Sequence, residues 1–586
     1  MRQTADGGYI VAGMAYSDDG DLDPDVIHGA NDAWVVKYDA NGNMQWQNPL
    51  GGSSSDIAFD ITQTADGGYI MCGATASNNG DVSGHHGATG SSYDCWVVKL
   101  SGAGAIQWQK CLGGSTADIG YSIQQCVDGG YIIGGISNSI NGDVTGNHGG
   151  VDYWVVKING TGVLQWQKSL GGTGDDQAQA IQQTSDGGFV VAGRSGSNDG
   201  DVSGNHGGLH DYWVVKLDNV GAISWQTCYG GTYDDQARSI QQTNDGGYIL
   251  TGSSESNNGD VSAHHGVAAS ADCWVVKIND TGVLQWEKSL GGTNGDYGAS
   301  VRQTTDGGYV VGASTYSTDG DVTDHSVSYV NYDYWVVKLI SSGAMSWQKC
   351  YGGTDLDQAY SIRETTGGGY VITGESYSGN FDVSGNHGQN DFWTVKLVST
   401  AVSVQVKCFI EGYYLSTGTM RAVADPVGHP AVCDTVTLSL ANVNSPYNIL
   451  YTSTSVLSTS GNSTFDFPSA VSGGQYYLVV RHRNALETWS TLPVTITTGM
   501  SYDFTDAITK AFGSNMRNLG DGNFAIYSGD VNQDKAINMS DFLSVEGALS
   551  LVILGNPVND LTGDGIVEST DYSLVETNLL TVSIQP

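Results

Sequence analysis

The first 400 residues repeat with a period of about 60 residues, and this repeat limits the possible folds more than any other feature. The motif Asp-Gly-Gly followed by Tyr or Phe recurs six times, and residues 367–370 carry a seventh copy with Gly in the Asp position. The six Asp-led copies begin at Asp6, Asp66, Asp128, Asp186, Asp245 and Asp306. A fixed period of this length indicates a repeat architecture, in which each copy buries apolar surface against its neighbours.

Two tryptophan motifs follow the same period. Asp-x-Trp occurs seven times and ends at Trp34, Trp96, Trp154, Trp213, Trp274, Trp335 and Trp393. A Gln-Trp or Ser-Trp pair occurs six times and ends at Trp46, Trp108, Trp166, Trp225, Trp286 and Trp347. Within residues 177–229, segments 178–184 and 223–229 alternate between polar and apolar residues. Segments 189–192 and 212–217 are apolar, and turn residues separate all four segments, which predicts four short strands per copy.

Four antiparallel strands in each of seven copies predict a mainly β chain whose residues 1–400 form a seven-bladed β-propeller. Each blade lies between two neighbours, so both of its faces are buried. This explains why the third strand reads Trp-Val-Val-Lys, where a sheet with one exposed face would alternate. A parallel β-helix needs a much shorter period and is less well supported.

The repeat is incomplete at both ends, because the first and fourth strands are recognisable only six times each. Two explanations remain open. The seventh blade is a two-stranded remnant formed by both chain ends, or residues upstream of Met1, with a secretion signal, are missing. The residues after Met1 contain no basic and apolar leader, which is typical of a cytoplasmic protein, but the repeat starts inside a copy. We therefore favour the second explanation.

Composition excludes several classes of protein. The chain has 23 Lys and Arg against 61 Asp and Glu, a net charge of −38, which argues against binding to nucleic acid. No apolar run is long enough to span a membrane. The nine cysteines contain no Cys-x-x-Cys pair, so zinc-ribbon and thioredoxin-type sites have no support.

One hairpin of the repeat resembles a known type of propeller. Residues 39–46 read DANGNMQW and residues 159–166 read NGTGVLQW. Both resemble the D-x-x-G-x-x-x-W corner of pyrroloquinoline-quinone-type propellers, although neither a cofactor-stacking Trp nor acidic metal ligands can be identified. We interpret the Trp as a structural anchor between blades. The whole repeat is more similar to uncharacterised repeat propellers on Bacteroidetes cell-surface proteins.

One loop type concentrates the polar chemistry of the repeat. It holds all ten histidines before residue 400: His28, His85, His86, His148, His206, His210, His264, His265, His325 and His387. Each loop also has one Asp near its start, namely Asp21, Asp81, Asp143, Asp201, Asp260, Asp321 and Asp382. The Asp of Asp-x-Trp closes it at Asp32, Asp94, Asp152, Asp211, Asp272, Asp333 and Asp391. Such a rim could bind metal or glycan, but we favour turns that are stabilised by their own side chains.

Residues 401–524 lack the repeat and predict a small β-sandwich that acts as a spacer. Predicted strands cover 402–409, 435–440, 476–481 and 492–497. Cys408 and Cys433 lie near the starts of two of them and could pair. The phrases FIEGYY (409–414) and RHRNALETWS (481–490) resemble a sandwich module found near the ends of Bacteroidetes surface proteins.

The most specific signal is a pair of twelve-residue loops. Residues 530–541 read DVNQDKAINMSD and residues 560–571 read DLTGDGIVESTD. Both follow the EF-hand-type calcium loop, with oxygen side chains at positions 1, 3 and 5, a backbone carbonyl at 7 and a carboxylate at 12. The predicted Ca²⁺ ligands are Asp530, Asn532, Asp534, the Ala536 carbonyl and Asp541 in the first loop. In the second they are Asp560, Thr562, Asp564, the Ile566 carbonyl and Asp571.

An apolar helical pattern follows each loop, so residues 525–586 resemble a type I dockerin. That family pairs two calcium loop–helix units and docks onto a cohesin, which is the partner that the resemblance implies. Ile537 and Val567 are expected to tie the loops to the core. Lys535 replaces the expected Gly at position 6 of the first loop, which is therefore expected to be the weaker site, and Thr562 replaces the usual Asp or Asn.

Three functions are compatible with these features. The first is a secreted or surface-displayed binding protein without enzymatic activity, whose propeller rim binds glycan or protein and whose dockerin-like end attaches it. The second is a polysaccharide-active hydrolase or lyase carried by the dockerin-like module into a degradative complex. The third, least supported, is a quinoprotein oxidoreductase. We identify no catalytic residues, and no nucleophile–base pair stands out.

Overall fold

The computed structural model describes residues 1–17, 20–22, 27–267, 270–325, 331–365, 369–397, 402–416, 418–424, 430–467, 471–549 and 557–586. The chain forms two compact units, Met1–Val398 and Ser399–Pro586. It is mainly β, as predicted. Two glycines of the seventh motif copy, at 367 and 368, lie outside the described residues, as does the predicted end of the repeat near residue 399.

The described part of the first unit contains seven antiparallel sheets, six of four strands and one of three. Their first strands are Arg2–Gln3, Asp56–Gln63, Asp118–Gln125, Asp176–Gln183, Asp235–Gln242, Asp296–Gln303 and Asp357–Glu364. The second strands are Tyr9–Ala15, Tyr69–Thr75, Tyr131–Ser137, Phe189–Ser195, Tyr248–Ser254, Tyr309–Thr315 and Tyr370–Ser376. The third strands are Asp32–Tyr38, Asp94–Leu100, Asp152–Ile158, Asp211–Leu217, Asp272–Ile278, Asp333–Leu339 and Asp391–Leu397. The fourth strands are Met44–Leu50, Ile106–Leu112, Leu164–Leu170, Ile223–Tyr229, Leu284–Leu290 and Met345–Tyr351.

The beginning and the end of the repeat lie in two separate sheets. They therefore do not form a shared two-stranded blade, which was one of the two explanations for the incomplete repeat. The first sheet contains a two-residue first strand, Arg2–Gln3, which was too short to be recognised from the sequence pattern. The last sheet packs against the first one. The rings of Phe392 and Trp34 are 4.8 Å apart, and Lys396 Nζ donates a hydrogen bond to the Ala40 carbonyl at 2.9 Å.

Aromatic side chains join neighbouring sheets. Each fourth-strand Trp lies 5.7–6.0 Å, centroid to centroid, from the Tyr or Phe that begins the second strand of the next sheet. These six Trp residues are Trp46, Trp108, Trp166, Trp225, Trp286 and Trp347. This packing confirms the interpretation of this Trp as an anchor between blades. Six of the seven third strands are buried on both faces, which confirms the explanation of the Trp-Val-Val-Lys run. The seventh, Asp391–Leu397, is only partly buried and reads Trp-Thr-Val-Lys.

A buried lysine explains why the third-strand motif and the Asp-Gly-Gly motif recur together. Lys277 is 1% exposed, and its Nζ lies 2.9 Å from Asp245 Oδ2. Asp245 also accepts a hydrogen bond from the Gly247 amide at 3.0 Å, and Gly246 between them has φ +83°, which favours glycine. Five other sheets have the same pair: Lys37–Asp6, Lys99–Asp66, Lys157–Asp128, Lys216–Asp186 and Lys338–Asp306.

The second unit begins with two sheets around one core. The first contains Asn462–Phe467, Val402–Lys407 and Met500–Asp503; the second contains Ile449–Ser458, Val432–Ala441, Gln475–His482, Ala485–Trp489 and Val494–Thr495. Val404, Phe465, Leu438 and Leu478 pack between them. Short strand pairs are Tyr414–Ser416 with Thr419–Met420, Arg517–Asn518 with Phe524–Ala525, and Ala536–Ile537 with Thr581–Val582. The 3-10 helices that lie wholly within the described residues are Glu411–Tyr413, Ile508–Lys510 and Phe512–Ser514.

Cys408 and Cys433 are both buried free thiols, so the disulfide considered from the sequence is not formed. The predicted strand 492–497 is reduced to Val494–Thr495.

The described part of the second unit also contains two α-helices: α1, Met539–Leu549, and α2, Ser569–Asn578. The rings of Phe542 and Tyr572 lie 4.5 Å apart between them, and Val545 and Val575 are fully buried. Each helix begins within the last three residues of one of the predicted calcium loops and continues beyond it, so a helix follows each loop as the sequence pattern indicated. None of the helices in the described ranges combines the length and apolar character needed to cross a lipid bilayer.

Candidate calcium site

The three acidic side chains of the first predicted calcium loop come together. One carboxylate oxygen from each of Asp530, Asp534 and Asp541 lies within 4.8 Å of the other two. Asp530 and Asp541 are buried, whereas Asp534 is exposed to solvent. Three hard oxygen donors around one point fit the ligand preference of Ca²⁺.

Backbone amides hold these carboxylates in place. Asp541 is the third residue of α1, and it accepts hydrogen bonds from the amides of Val531 at 2.9 Å and Asn538 at 3.0 Å. Asp530 accepts one from the Lys535 amide at 3.2 Å. Lys535 has φ +76°, so it adopts the left-handed conformation that Gly usually supplies at this position. The chain therefore closes the loop despite the substitution.

The electrostatics of the first loop favour a cation. Burial, together with the carboxylates of Asp541 and Asp534, raises the pKa of Asp530 to about 6. Like charges at this separation oppose ionisation unless a positive charge lies between them. The Lys535 ammonium does not fill that role, because its Nζ lies 3.4 Å from Glu487 Oε1 in the neighbouring sandwich strand. The carboxylates thus remain available for a divalent ion.

The remaining predicted ligands of the first loop are arranged around the acidic group. Asn532 is exposed, and its Nδ2 donates hydrogen bonds to Asp534 Oδ2 at 3.1 Å and to Ser540 Oγ at 2.6 Å. Ala536 begins a short strand, and the next residue, Ile537, is fully buried, as expected for the residue that ties the loop to the core.

The second loop has the same framework. Asp571, at the third position of α2, accepts hydrogen bonds from the amides of Leu561 at 2.7 Å and Thr562 at 2.8 Å. Asp560 accepts one from the Gly565 amide at 2.9 Å, and burial raises its pKa. Val567 is buried, as the sequence pattern indicated.

The acidic side chains of the second loop do not form a cluster as tight as that of the first. Within the described ranges, the first loop supplies the one group of acidic oxygens close enough to hold a metal ion. Asp564 is drawn towards Arg421, whose Nη1 lies 3.6 Å from its Oδ2, and Ile566 is exposed. The first loop therefore has the tighter acidic group, although Lys535 predicts that it is the weaker calcium site.

Buried asparagines connect the second loop–helix unit to the sandwich, a feature that the sequence pattern did not indicate. Asn578, at the end of α2, donates hydrogen bonds to Glu411 Oε2 at 2.6 Å and to the Ser528 carbonyl at 2.9 Å. Asn484 donates one to the Asp560 carbonyl at 3.1 Å. Both asparagines are buried, so these contacts hold a calcium-loop backbone and a helix end in fixed positions.

The histidine-rich loops of the first unit are stabilised by His–Asp contacts within each loop, which we call His–Asp staples. In six of them a His Nδ1 lies 2.6–3.3 Å from the Asp of the Asp-x-Trp motif: His28–Asp32, His86–Asp94, His148–Asp152, His206–Asp211, His265–Asp272 and His387–Asp391. The backbone amide of each of these His residues donates to the same carboxylate. No metal-binding group was found in these loops among the residues that the structure describes. The contacts support the interpretation of the loops as self-stabilised turns.

Comparisons with known proteins agree with the second unit's calcium loops. Residues 528–580 match the family model of the Dockerin type I domain. No curated protein sequence matches the chain. The chain is similar to the WD40 domain of Neurospora crassa Pan2, with 10% identity and a TM-score of 0.36 over 68% of this chain and 89% of that one.

Two further solved structures are similar to the chain. A Dyadobacter fermentans protein of unknown function matches with 12% identity and a TM-score of 0.35, over 58% of this chain and 94% of that one. A puromycin hydrolase matches with 10% identity and a TM-score of 0.35, over 64% and 49%. The repeated four-stranded sheets form a β-propeller-like fold, and residues 528–580 are a dockerin type I domain.

Proposed function

We propose that this chain is a secreted or cell-surface binding protein, in which a seven-bladed propeller presents the ligand-binding surface and the dockerin domain attaches the chain to a cohesin-containing partner. The observation that carries this proposal is the dockerin match at 528–580 together with the converging carboxylates of Asp530, Asp534 and Asp541. Dockerin domains occur on extracellular or cell-surface proteins.

Two Ca²⁺ ions would complete the dockerin domain. The first would be held by Asp530, Asn532, Asp534, the Ala536 carbonyl and Asp541. The second would be held by Asp560, Thr562, Asp564, the Ile566 carbonyl and Asp571. Each ion would neutralise buried carboxylates at the start of a helix and so stabilise the loop–helix unit.

The three proposed parts of the chain have different roles. Residues 1–400 would form the propeller, 401–524 the sandwich spacer, and 525–586 the dockerin module. The contacts of Asn484 and Asn578 support a spacer that holds the dockerin module in a fixed orientation rather than on a loose linker.

An exposed apolar pair on α1 is a suitable contact for the cohesin. Met539 and Leu543 are 58% and 56% exposed, although their helix buries Val545 on its other side. Large exposed apolar side chains on an otherwise acidic chain are typical of a protein-binding surface.

The test measures binding of the full-length chain to a panel of type I cohesin modules, with calcium and with a chelator. We expect binding in calcium, loss of binding in chelator, and weaker binding for Asp534→Asn and Leu543→Asp. Asp506→Asn, which removes an exposed carboxylate outside the loops, is the matched control and should bind like wild type. Binding that is unchanged by the chelator and by Asp534→Asn would reject calcium-dependent attachment.

A further inference from the structure

The first strands of the propeller depart from the repeat at one position. All six full-length first strands contain a β-bulge, which leaves one residue without a partner on the second strand. These bulged residues are Phe59, Tyr121, Gln179, Arg238, Ala299 and Tyr360. Bulges redirect side chains and often occur beside functional sites. Here the six bulged residues are of five different types and surround one space, which is what a binding site for an asymmetric ligand needs.

That space is a cavity of about 1090 Å³, lined by the first strands of all seven sheets and by further strands and loops of the first and last sheets. Its volume is large enough for a small organic ligand. Phe59 and Tyr360 line it and are 43% and 56% exposed. The rings of Phe59 and Tyr121 lie 4.9 Å apart, edge to face. The bulge level therefore offers aromatic surface to whatever enters the cavity.

A second level of the same cavity is basic. Three residues after the bulge, the last two described sheets carry Arg302 and Arg363, and Arg2 takes the equivalent place in the first sheet. The other sheets have Gln124, Gln182, Gln241 and Thr62 at this position. At 3.3 Å per residue, the backbone positions of the two levels lie roughly 10 Å apart along the strands. The guanidinium groups of the last two sheets extend back towards the aromatic level, because their serine acceptors, Ser239 and Ser300, directly follow bulged residues.

The basic level contains more positive than negative charge. Arg2 pairs with Asp60, with 3.0 Å between Nη2 and Oδ1. Arg302 and Arg363 donate instead to neutral acceptors, Ser239 Oγ at 3.1 Å and Ser300 Oγ at 3.2 Å. No carboxylate pairs with either of these two guanidinium groups in the described part of the chain.

Two further observations agree with the absence of a carboxylate partner for Arg302 and Arg363 among the described residues. Ser361 Oγ, the counterpart of those two serine oxygens, is buried and has no hydrogen-bond partner among the described residues. Burial and the neighbouring Arg2 guanidinium lower the pKa of Arg302 to about 9. Neighbouring guanidinium groups that have no carboxylate partner of their own are suited to bind an oxyanion.

We propose that the cavity binds a small organic anion, whose carboxylate or other oxyanion is held by Arg302, Arg363 and Arg2 while its ring lies against the aromatic bulge residues. This inference rests on the ligand-binding part of the proposed function and gives it a chemical class. An acidic sugar fits both levels, because it combines a carboxylate with a ring whose C–H face packs on aromatic side chains.

The test is calorimetric titration of the full-length chain at low ionic strength with glucuronate, glucose and inorganic phosphate. Glucuronate and glucose differ mainly in the carboxylate, so glucuronate should bind and glucose should not. Phosphate should compete with glucuronate. Arg302→Gln and Arg363→Gln should each weaken glucuronate binding by about tenfold or more. These variants should fold, because three other sheets have Gln at the same position.

Controls separate the two levels of the site. Lys110→Gln removes an exposed positive charge from a fourth strand and should leave binding unchanged. Tyr360→Ala should weaken glucuronate but not phosphate. Absence of binding by both anions, or equal binding by the two arginine variants and wild type, would overturn the proposal. Cohesin binding measured on the same samples is independent of these outcomes, so it reports separately on attachment.

Discussion

Replacing Asp530 by Asn should change the stability of the dockerin module in opposite directions with and without calcium. Without the ion, Asp530, Asp534 and Asp541 place like charges within 4.8 Å of one another. Two unit charges at that distance repel by about 3 kcal/mol at an effective dielectric constant of about 20. Asn at position 530 removes that repulsion but keeps one acceptor for the backbone amides of the loop.

The expected gain is smaller than the full repulsion. Asp534 is exposed, so water and salt screen its share, and Asn accepts fewer amide hydrogen bonds than a carboxylate. We therefore expect Asp530→Asn to stabilise residues 525–586 by about 1–2 kcal/mol in chelator. In calcium the same change removes a buried ligand. A tenfold loss in affinity for Ca²⁺ lowers the stability of the module by about 1.4 kcal/mol when the ion is in excess.

Amide hydrogen exchange of residues 525–586, measured in calcium and in chelator, follows this region separately from the propeller. The control is Asp506→Asn, which should have no effect in either condition. If Asp530→Asn destabilises the module equally in both conditions, Asp530 acts only as a structural hydrogen-bond acceptor, and the reasoning from charge repulsion is refuted.

The remaining predictions concern the propeller. Trp213 is fully buried, so Trp213→Ala should lower the free energy of unfolding by about 3–5 kcal/mol. Trp225 is half-buried, so Trp225→Ala should lower it clearly less. Urea titrations that give equal losses for the two variants would contradict this prediction. Burial raises the pKa of Asp235 and of Asp296 to about 6, above the usual unfolded value of 3.8. Because the folded propeller binds these protons more tightly, its stability should rise as the pH falls from 7 to 4, by about 2 kcal/mol for each group. Asp235→Asn should reduce that slope, and calorimetric melting temperatures that do not change over this pH range would reject the prediction.

The sequence predicted the repeated part of the fold well because each repeated motif has one physical role. The Asp-Gly-Gly turn is fixed by glycine conformation and by its ion pair with a buried Lys. The fourth-strand Trp is fixed by packing on the next sheet. Such requirements recur in every copy, so a pattern of 60 residues reveals them. The first strand of the first sheet escaped detection because two residues carry no periodicity.

Other contacts could not be predicted because they join residues far apart in the sequence. Arg421 lies close to Asp564, and Asn578 reaches Glu411. No motif contains both members of either pair, and polar contacts of this kind depend on how the loops pack on the sandwich. The convergence of the first loop's carboxylates was indicated by spacing, but its tighter arrangement relative to the second loop was not.

The proposed ligand site lies at positions where the blades differ, because identical residues in every blade cannot recognise an asymmetric ligand. A repeated residue presents the same group in every blade, so a ring of identical side chains cannot orient an asymmetric ligand. The His–Asp staples are of this kind, and their polar atoms bind one another. Recognition therefore requires positions that can vary without affecting the sheets. A bulged residue meets this condition, because it has no partner residue on the second strand. A first-strand side chain that lines the cavity meets it as well. Those are the positions at which this chain replaces its repeat with aromatic and basic residues.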